Sequence, residues 1–210
     1  MATFGLVKSK LNGTERIFGF DNNKDSITLP ESFSYKDVLP KVLNQGSNPI
    51  CVPCSLSTYL NWKENLKDGV VKDNNIDYME IFNSRQSLGD DGMSFKDALH
   101  YVRHGGVVSD SGLLKINNYA MVMNGFMLKA AIVMNGPCIG GLPVYNYGYE
   151  FWNPNSGDSL LGFHAISIVG YEKGEFIIRN SWGKYFGKGG YCSIKEDELN
   201  KFIEIWTILN

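Results

Sequence analysis

The stretch Asn44-Gln45-Gly46-Ser47-Asn48-Pro49-Ile50-Cys51 decides how the rest of this chain is read. Its polar, turn-forming residues end abruptly at Cys51, and beyond it Val52, Leu56, Tyr59, Leu60 and Leu66 recur at helical spacing. That spacing predicts a helix from Cys51 to about Leu66 with one buried face. A cysteine at a helix start meets unpaired backbone N–H groups and the positive end of the helix dipole, which favour the thiolate. Pro53 is tolerated because the first turn needs no hydrogen bond from that position. Two later stretches complete the pattern: Gly162-Phe163-His164-Ala165-Ile166-Ser167-Ile168-Val169-Gly170-Tyr171, and Ile177-Ile178-Arg179-Asn180-Ser181-Trp182-Gly183. A thiol, an imidazole and a side-chain amide in this order are the parts of a nucleophile, its base and the group that orients the base. Gln45, six residues before Cys51, can donate from its amide to a developing oxyanion beside the Cys51 backbone N–H. Trp182 can shield the imidazole–amide bond from water and so strengthen it.

Composition bounds the answer from outside. A chain of 210 residues can bury about 70% of its unfolded surface, enough for one compact unit or two small subdomains. The net charge of −2 gives no basic field for a polyanion, so nucleic acid is not an expected partner. No apolar run approaches the roughly 18 residues of a membrane span, and Met1-Ala2-Thr3-Phe4-Gly5-Leu6-Val7-Lys8 has neither the basic start nor the apolar stretch of a signal peptide. Cysteines stand at 51, 54, 138 and 192, the last two inside apolar strand-like runs where a small buried thiol is the ordinary reading. Reduced thiols, and hence a cytoplasmic or otherwise reducing compartment, are expected.

Periodicity divides the chain. Residues 1–40 are polar and irregular, punctuated by Pro30 and Pro40. A second helix is predicted from Phe95, Ala98, Leu99 and Val102, stopped by Gly105-Gly106. A third is predicted from Phe126, Met127, Ala130, Ala131 and Met134, closed by Asn135-Gly136-Pro137. Short apolar or alternating runs at 138–143, 164–170, 175–179, 190–194 and 202–209 then read as strands. Helices first and strands later predict an α+β architecture in two lobes.

The three stretches together resemble the papain-like cysteine peptidases. The likeness extends to Leu29-Pro30-Glu31-Ser32-Phe33, which looks like the start of a mature domain. It also takes in Asp91-Gly92 followed by Asp97-Ala98-Leu99, Asn135-Gly136-Pro137, and Gly187-Lys188-Gly189-Gly190-Tyr191. The resemblance implies a helical lobe, 29–110, carrying the nucleophile and a β-barrel-like lobe, 111–210, carrying His164 and Asn180, with the cleft between them. Residues 1–28 form an N-terminal extension able to cover that cleft. It makes Gln45 the oxyanion-hole residue six positions before the nucleophile, which selects Cys51 over Cys54. It further implies substrate backbone pairing with Gly92 and Met93, the neighbours of a turn at Asp90-Asp91. An apolar pocket at Phe95, Phe163 and Ala165 would lie beside the scissile residue, with Trp182 near it. The implied activity is endopeptidase chemistry through an acyl-thioester, on a protein or peptide substrate, with no cofactor and no metal. The short extension resembles prokaryotic and viral members without a long propeptide more than lysosomal ones. Departures are Val52 in place of an aromatic after the nucleophile, and His164 and Asn180 closer to Cys51 than the roughly 130–150 residues usual for papain enzymes.

Other readings stay open at this level. A papain-like fold without activity could serve as a binding module, and a peptide or acyl transferase could use the same residues. Cys51-Val52-Pro53-Cys54 has the spacing of a redox pair, but the residues before it are turn-like where a redox fold of that type has a strand. His100 and His104 have metal-ligand spacing on a helix but lack the intervening glutamate of a zinc peptidase, so a solvated face is expected.

Overall fold

A computed structural model of the chain describes residues 4–19, 27–85 and 92–209. The turn expected at Asp90-Asp91 lies outside those residues. Four helices are described: α1 Cys51–Asp68, α2 Tyr78–Asn83, α3 Phe95–His104 and α4 Gly125–Asn135. The strands are β1 Phe33–Ser34, β2 Val107–Ser109, β3 Gly112–Leu114, β4 Asn118–Met121, β5 Cys138–Val144, β6 Gly162–Glu172, β7 Glu175–Arg179, β8 Tyr191–Lys195 and β9 Glu204–Leu209. Six strands form an antiparallel sheet in the order β4-β9-β5-β6-β7-β8, and β1 joins it by pairing with β6. The fold is therefore α+β in two lobes, with α1–α3 packed together in one and the sheet, backed by α4, in the other.

The helix starts follow local chemistry. Asp77, Ser94 and Asn124 each accept a hydrogen bond from the third residue of the following helix, satisfying an otherwise orphaned N–H. α1 has no such side-chain cap, since Ile50 precedes it. Its first N–H groups are left to whatever lies at Cys51.

α1 departs from the expectation of one buried face. It is buried on all sides through its first three turns, whereas Leu66, expected inside, is 62% exposed. The polar residues that suggested a solvent face are bonded internally. Asn61 Nδ2 donates to the Ser57 carbonyl, and the Asn74 backbone N–H donates to Asn61 Oδ1 at 2.8 Å. Asn74 Nδ2 donates to Asn65 Oδ1 at 2.9 Å, and Glu64 takes the Ser111 hydroxyl and the Lys67 ammonium. Amides bonded in this way can be buried where unpaired ones would each cost about 1–3 kcal/mol, although Asn74 Oδ1 has no hydrogen-bond partner among the described residues. α4 also turns a different face inward: Leu128 and Ala130–Ile132 are buried, while Phe126 and Met134, expected to pack, are about half exposed.

Strand lengths exceed or shift from the predicted runs by a few residues, and α2, β4 and the β2–β3 hairpin were not predicted. The hairpin crosses the lobe boundary expected between 110 and 111. The N-terminal residues are likewise integral to the body, because Leu6 lies in the hydrophobic core. Among the described residues no helix is long and apolar enough to cross a membrane.

Where α4 ends, Gly136 has φ +103°, and a Cβ there would sit 2.3 Å from the Trp62 ring. That ring is wedged between Tyr35 and Tyr59, at 5.1 and 5.4 Å, and cannot retreat. Gly136→Ala is expected to destabilise the fold by about 2–4 kcal/mol through overpacking plus backbone strain, measured by urea unfolding. A loss below about 0.5 kcal/mol would show that the ring yields.

Candidate active site

The site is assembled from three chain segments by backbone pairing. β6 and β7 pair with Ser167 opposite Arg179, so the chain leaving β7 passes alongside His164. The chain then turns, with the Asn180 N–H donating to the Gly190 carbonyl. Residues 43–46 join from the other side: the Gln45 N–H donates to the Ser181 carbonyl at 2.9 Å and the Gly183 N–H to the Leu43 carbonyl at 2.9 Å. α1 is tied to the same strand by the Ser167 hydroxyl, which donates to the Ser55 carbonyl at 3.1 Å.

This wiring brings together the residues predicted from sequence. His164 Nε2 lies 2.7 Å from Asn180 Oδ1, and the Ser181 N–H also donates to that oxygen at 2.7 Å. An oxygen taking one N–H there can only accept from the imidazole, so Nε2 carries the proton and Nδ1 presents its lone pair. Nδ1 is buried and has no hydrogen-bond partner among the described residues. Trp182 stacks on the His164 ring with centroids 4.7 Å apart, and Phe151 meets both rings at 5.8 and 5.0 Å. The imidazole–amide bond is therefore buried, with aromatic rings packed against the imidazole.

Cys51 lies at the uncapped start of α1 and is fully buried. The backbone N–H groups of Ala165, Gly5, Val52 and Cys51 itself face its sulfur and favour the thiolate, but burial outweighs them and pushes the thiol up to about 11. Burial likewise holds His164 down, to about 4, against the opposing pull of the Asn180 bond. Burial thus works against charge on both groups. Gln45 is clamped at both ends of its amide: Oε1 accepts the Ser181 hydroxyl at 2.6 Å and Nε2 donates to the Asn48 carbonyl at 3.0 Å. The clamp turns the amide nitrogen toward the loop that leads to Cys51.

The remaining predicted residues divide. Ala165 borders the Cys51 sulfur, and Phe163 and Met93 present backbone groups to the same cleft. Gly92 follows the undescribed stretch and borders Gly5. Phe95, the first residue of α3, is fully buried, as Cys51, His164 and Ala165 also are. Cys54 is buried one turn along from Cys51, its thiol pushed up by burial and by Cys51, and all four cysteines are free thiols. His100 and His104 stack at 4.1 Å with His104 Nδ1 against the His100 carbonyl. No group of three or more metal-ligating side chains occurs among the described residues.

Three contributors escaped the sequence reading. Ser181, between Asn180 and Trp182, holds both Asn180 and Gln45, a role that only the long-range pairing reveals. Phe151 and Tyr147 arrive from the loop between β5 and β6, whose aromatic density was the available signal.

Comparison with known proteins follows this geometry. The description "Papain family cysteine protease" matches residues 51–205. The cathepsin L-like proteinase of Phaedon cochleariae is 26% identical over 201 residues, covering 80% of this chain and 61% of that protein. Macrodontain-1 of Ananas macrodontes is 33% identical over 69 residues, 31% of this chain and 32% of that protein. The chain thus spans less than two thirds of the length of either relative. Xylellain, a cysteine protease from Xylella fastidiosa, superposes with a TM-score of 0.80 at 20% identity, covering 99% of this chain and 96% of that structure. The two-lobed fold is that of the papain-like enzymes. The chain belongs to the papain family of cysteine proteases.

A buried neutral imidazole has a consequence for stability. Its folded-state pKa, about 4, lies below the ordinary value of 6.5, so protonation favours the unfolded chain. Stability is full above about pH 6.5 and falls as pH drops toward 4. Between pH 7.5 and 4.5 the wild type is expected to lose about 2.5 kcal/mol more than His164→Gln, measured by denaturant titration at each pH. Equal losses would contradict the enclosed, neutral imidazole.

Proposed function

We propose that the protein is a cysteine endopeptidase that hydrolyses peptide bonds through an acyl-thioester on Cys51. The observation that carries this reading is the enclosed His164–Asn180 bond, which leaves the Nδ1 lone pair of His164 beside the strand position that touches the Cys51 sulfur. Family membership supports the reaction class.

In this mechanism the Cys51 proton moves to His164 Nδ1 once substrate and water relieve the desolvation that keeps both groups neutral. The Cys51 sulfur adds to the substrate carbonyl carbon, and the Gln45 amide and Cys51 N–H donate to the oxyanion that forms. The C–N bond breaks as His164 gives its proton to the leaving amine, and the acyl group remains on sulfur. Water then adds to the thioester with His164 taking its proton, and collapse of that adduct returns the thiol and releases the acid. Asn180 holds the imidazole in the tautomer this exchange needs, while Trp182 and Phe151 keep that bond dry. Substrate backbone pairs along Met93 by strand addition. Four free thiols support a reducing compartment as the setting.

Cys51→Ala is expected to abolish both peptide hydrolysis and labelling by an epoxide thiol reagent, whereas Cys54→Ala leaves labelling within a few-fold of wild type. Gln45→Ala is expected to lower kcat by roughly 10²–10³ with KM little changed, the loss seen for a single oxyanion donor. Labelling that follows Cys54 in peptide-mapping mass spectrometry would refute the assignment.

A further inference from the structure

Cys54 is a nucleophilic side chain that the proposed chemistry leaves unused, and it stands three positions after the one that chemistry needs. Ile50 is the N-cap of α1, Cys51 is its first residue, and the Cys54 N–H closes the first turn on the Ile50 carbonyl at 3.0 Å. Residues three apart on a helix share a face. Regular helix geometry sets their Cα atoms about 5 Å apart, inside the roughly 4.4–6.8 Å that a disulfide spans. Pro53, between them, fixes one dihedral of the turn and is asked for no backbone donor there.

Their surroundings set this pair apart from the other thiols. All four cysteines are free, and Cys51 adds its own influence to the burial that pushes the Cys54 thiol up, as close neighbours do. Cys138 on β5 and Cys192 on β8 lie in register across β6 and β7, so about 14 Å separates them and no bridge can form. Beside Cys54 is a void of about 10 Å³, bordered by Thr58, Ala165, Ser167 and Asn180, at the lower limit for one water. Ala165 also turns its N–H toward the Cys51 sulfur. The Cys54 side chain therefore has free space beside a residue that touches the nucleophile.

From this arrangement we infer that Cys54 is a resolving thiol: when a peroxide oxidises Cys51, Cys54 closes a Cys51–Cys54 disulfide that holds the site reversibly inactive. The inference rests on the peptidase reading for its consequence, since the sulfur taken out of use is the proposed nucleophile. In the first step the Cys51 thiolate, with its proton on His164 Nδ1, attacks one oxygen of hydrogen peroxide. The O–O bond breaks, the departing hydroxide takes that proton and leaves as water, and Cys51 becomes a sulfenic acid. In the second step the Cys54 sulfur attacks the Cys51 sulfur, the S–O bond breaks, and hydroxide leaves with the Cys54 proton as water. Two thiols are oxidised to one disulfide while one peroxide is reduced to two waters. A dithiol reductant reverses the bond by thiol–disulfide exchange. Without a thiol at position 54 the sulfenic acid stays open to a second peroxide, which carries it to the irreversible sulfinic acid.

The test uses the full chain, reduced with dithiothreitol, freed of it and then exposed to hydrogen peroxide. In wild type the unreduced peptide holding both cysteines is expected to lose the mass of two hydrogens, a readout that needs no variant. Cleavage of a fluorogenic peptide is expected to fall at least about tenfold, and to return within about twofold of its starting rate after dithiothreitol. Cys54→Ala, as active as wild type beforehand, is expected to gain two oxygens at Cys51 and to recover less than about a tenth of its cleavage. Sulfinic acid on wild-type Cys51, formed as fast as in the variant and with no link, would overturn the inference. Equal recovery in the two proteins would do so as well. A link that forms and reverses in a protein that cleaves no peptide at the outset would keep the disulfide and remove the peptidase reading. Cleavage lost for good with no link formed would do the reverse.

Discussion

The hydrogen bond from His164 Nε2 to Asn180 Oδ1 is the contact around which the rest of the structure is arranged. It is short, buried and formed between a residue of β6 and the residue that directly follows β7, so its geometry is inherited from the β6–β7 register. That register is in turn fixed by β6 being the central strand, covered by α1 and α4 and flanked by β5 and β7. A slip of one residue would reverse which side chains face the helices, and the largely buried β6 leaves no tolerated alternative. The Ser181 N–H, shared with the same oxygen, sets the amide orientation and thereby the imidazole tautomer. Backbone pairing thus determines where a proton sits.

Burial strengthens that bond and imposes a cost elsewhere. The same dry surroundings that favour a hydrogen bond oppose charge, which is why burial pushes the Cys51 thiol up and the His164 imidazole down. The proposed chemistry requires the charged pair that this burial disfavours. Readmitting water and substrate removes the larger part of that penalty.

The sequence disclosed the parts of the site more completely than their supports. Cys51, His164, Asn180 and Gln45 are legible because each stands in a local context with its own physical signature, a helix start, an apolar strand or a turn-bounded motif. The α3 helix and the strands of the main sheet are legible from their periods. What stays hidden depends on partners far away in sequence. Asn61, Asn65 and Glu64 read as a solvent face of α1 because their bonding partners, Asn74 and Ser111, lie well along the chain. Ser181, Phe4, Gly5 and Leu6 take up their contacts only when segments from opposite ends of the chain come together.

The central claim is that the thiol of Cys51 carries the acyl group passed to water. The most direct measurement is acid quenching during turnover of an activated ester or peptide substrate, followed by tandem mass spectrometry of the peptide holding both Cys51 and Cys54. The account predicts a transient acyl mass on Cys51 that disappears as product accumulates. An acyl group on Cys54, or sustained hydrolysis with an unmodified Cys51 at every time point, would contradict it.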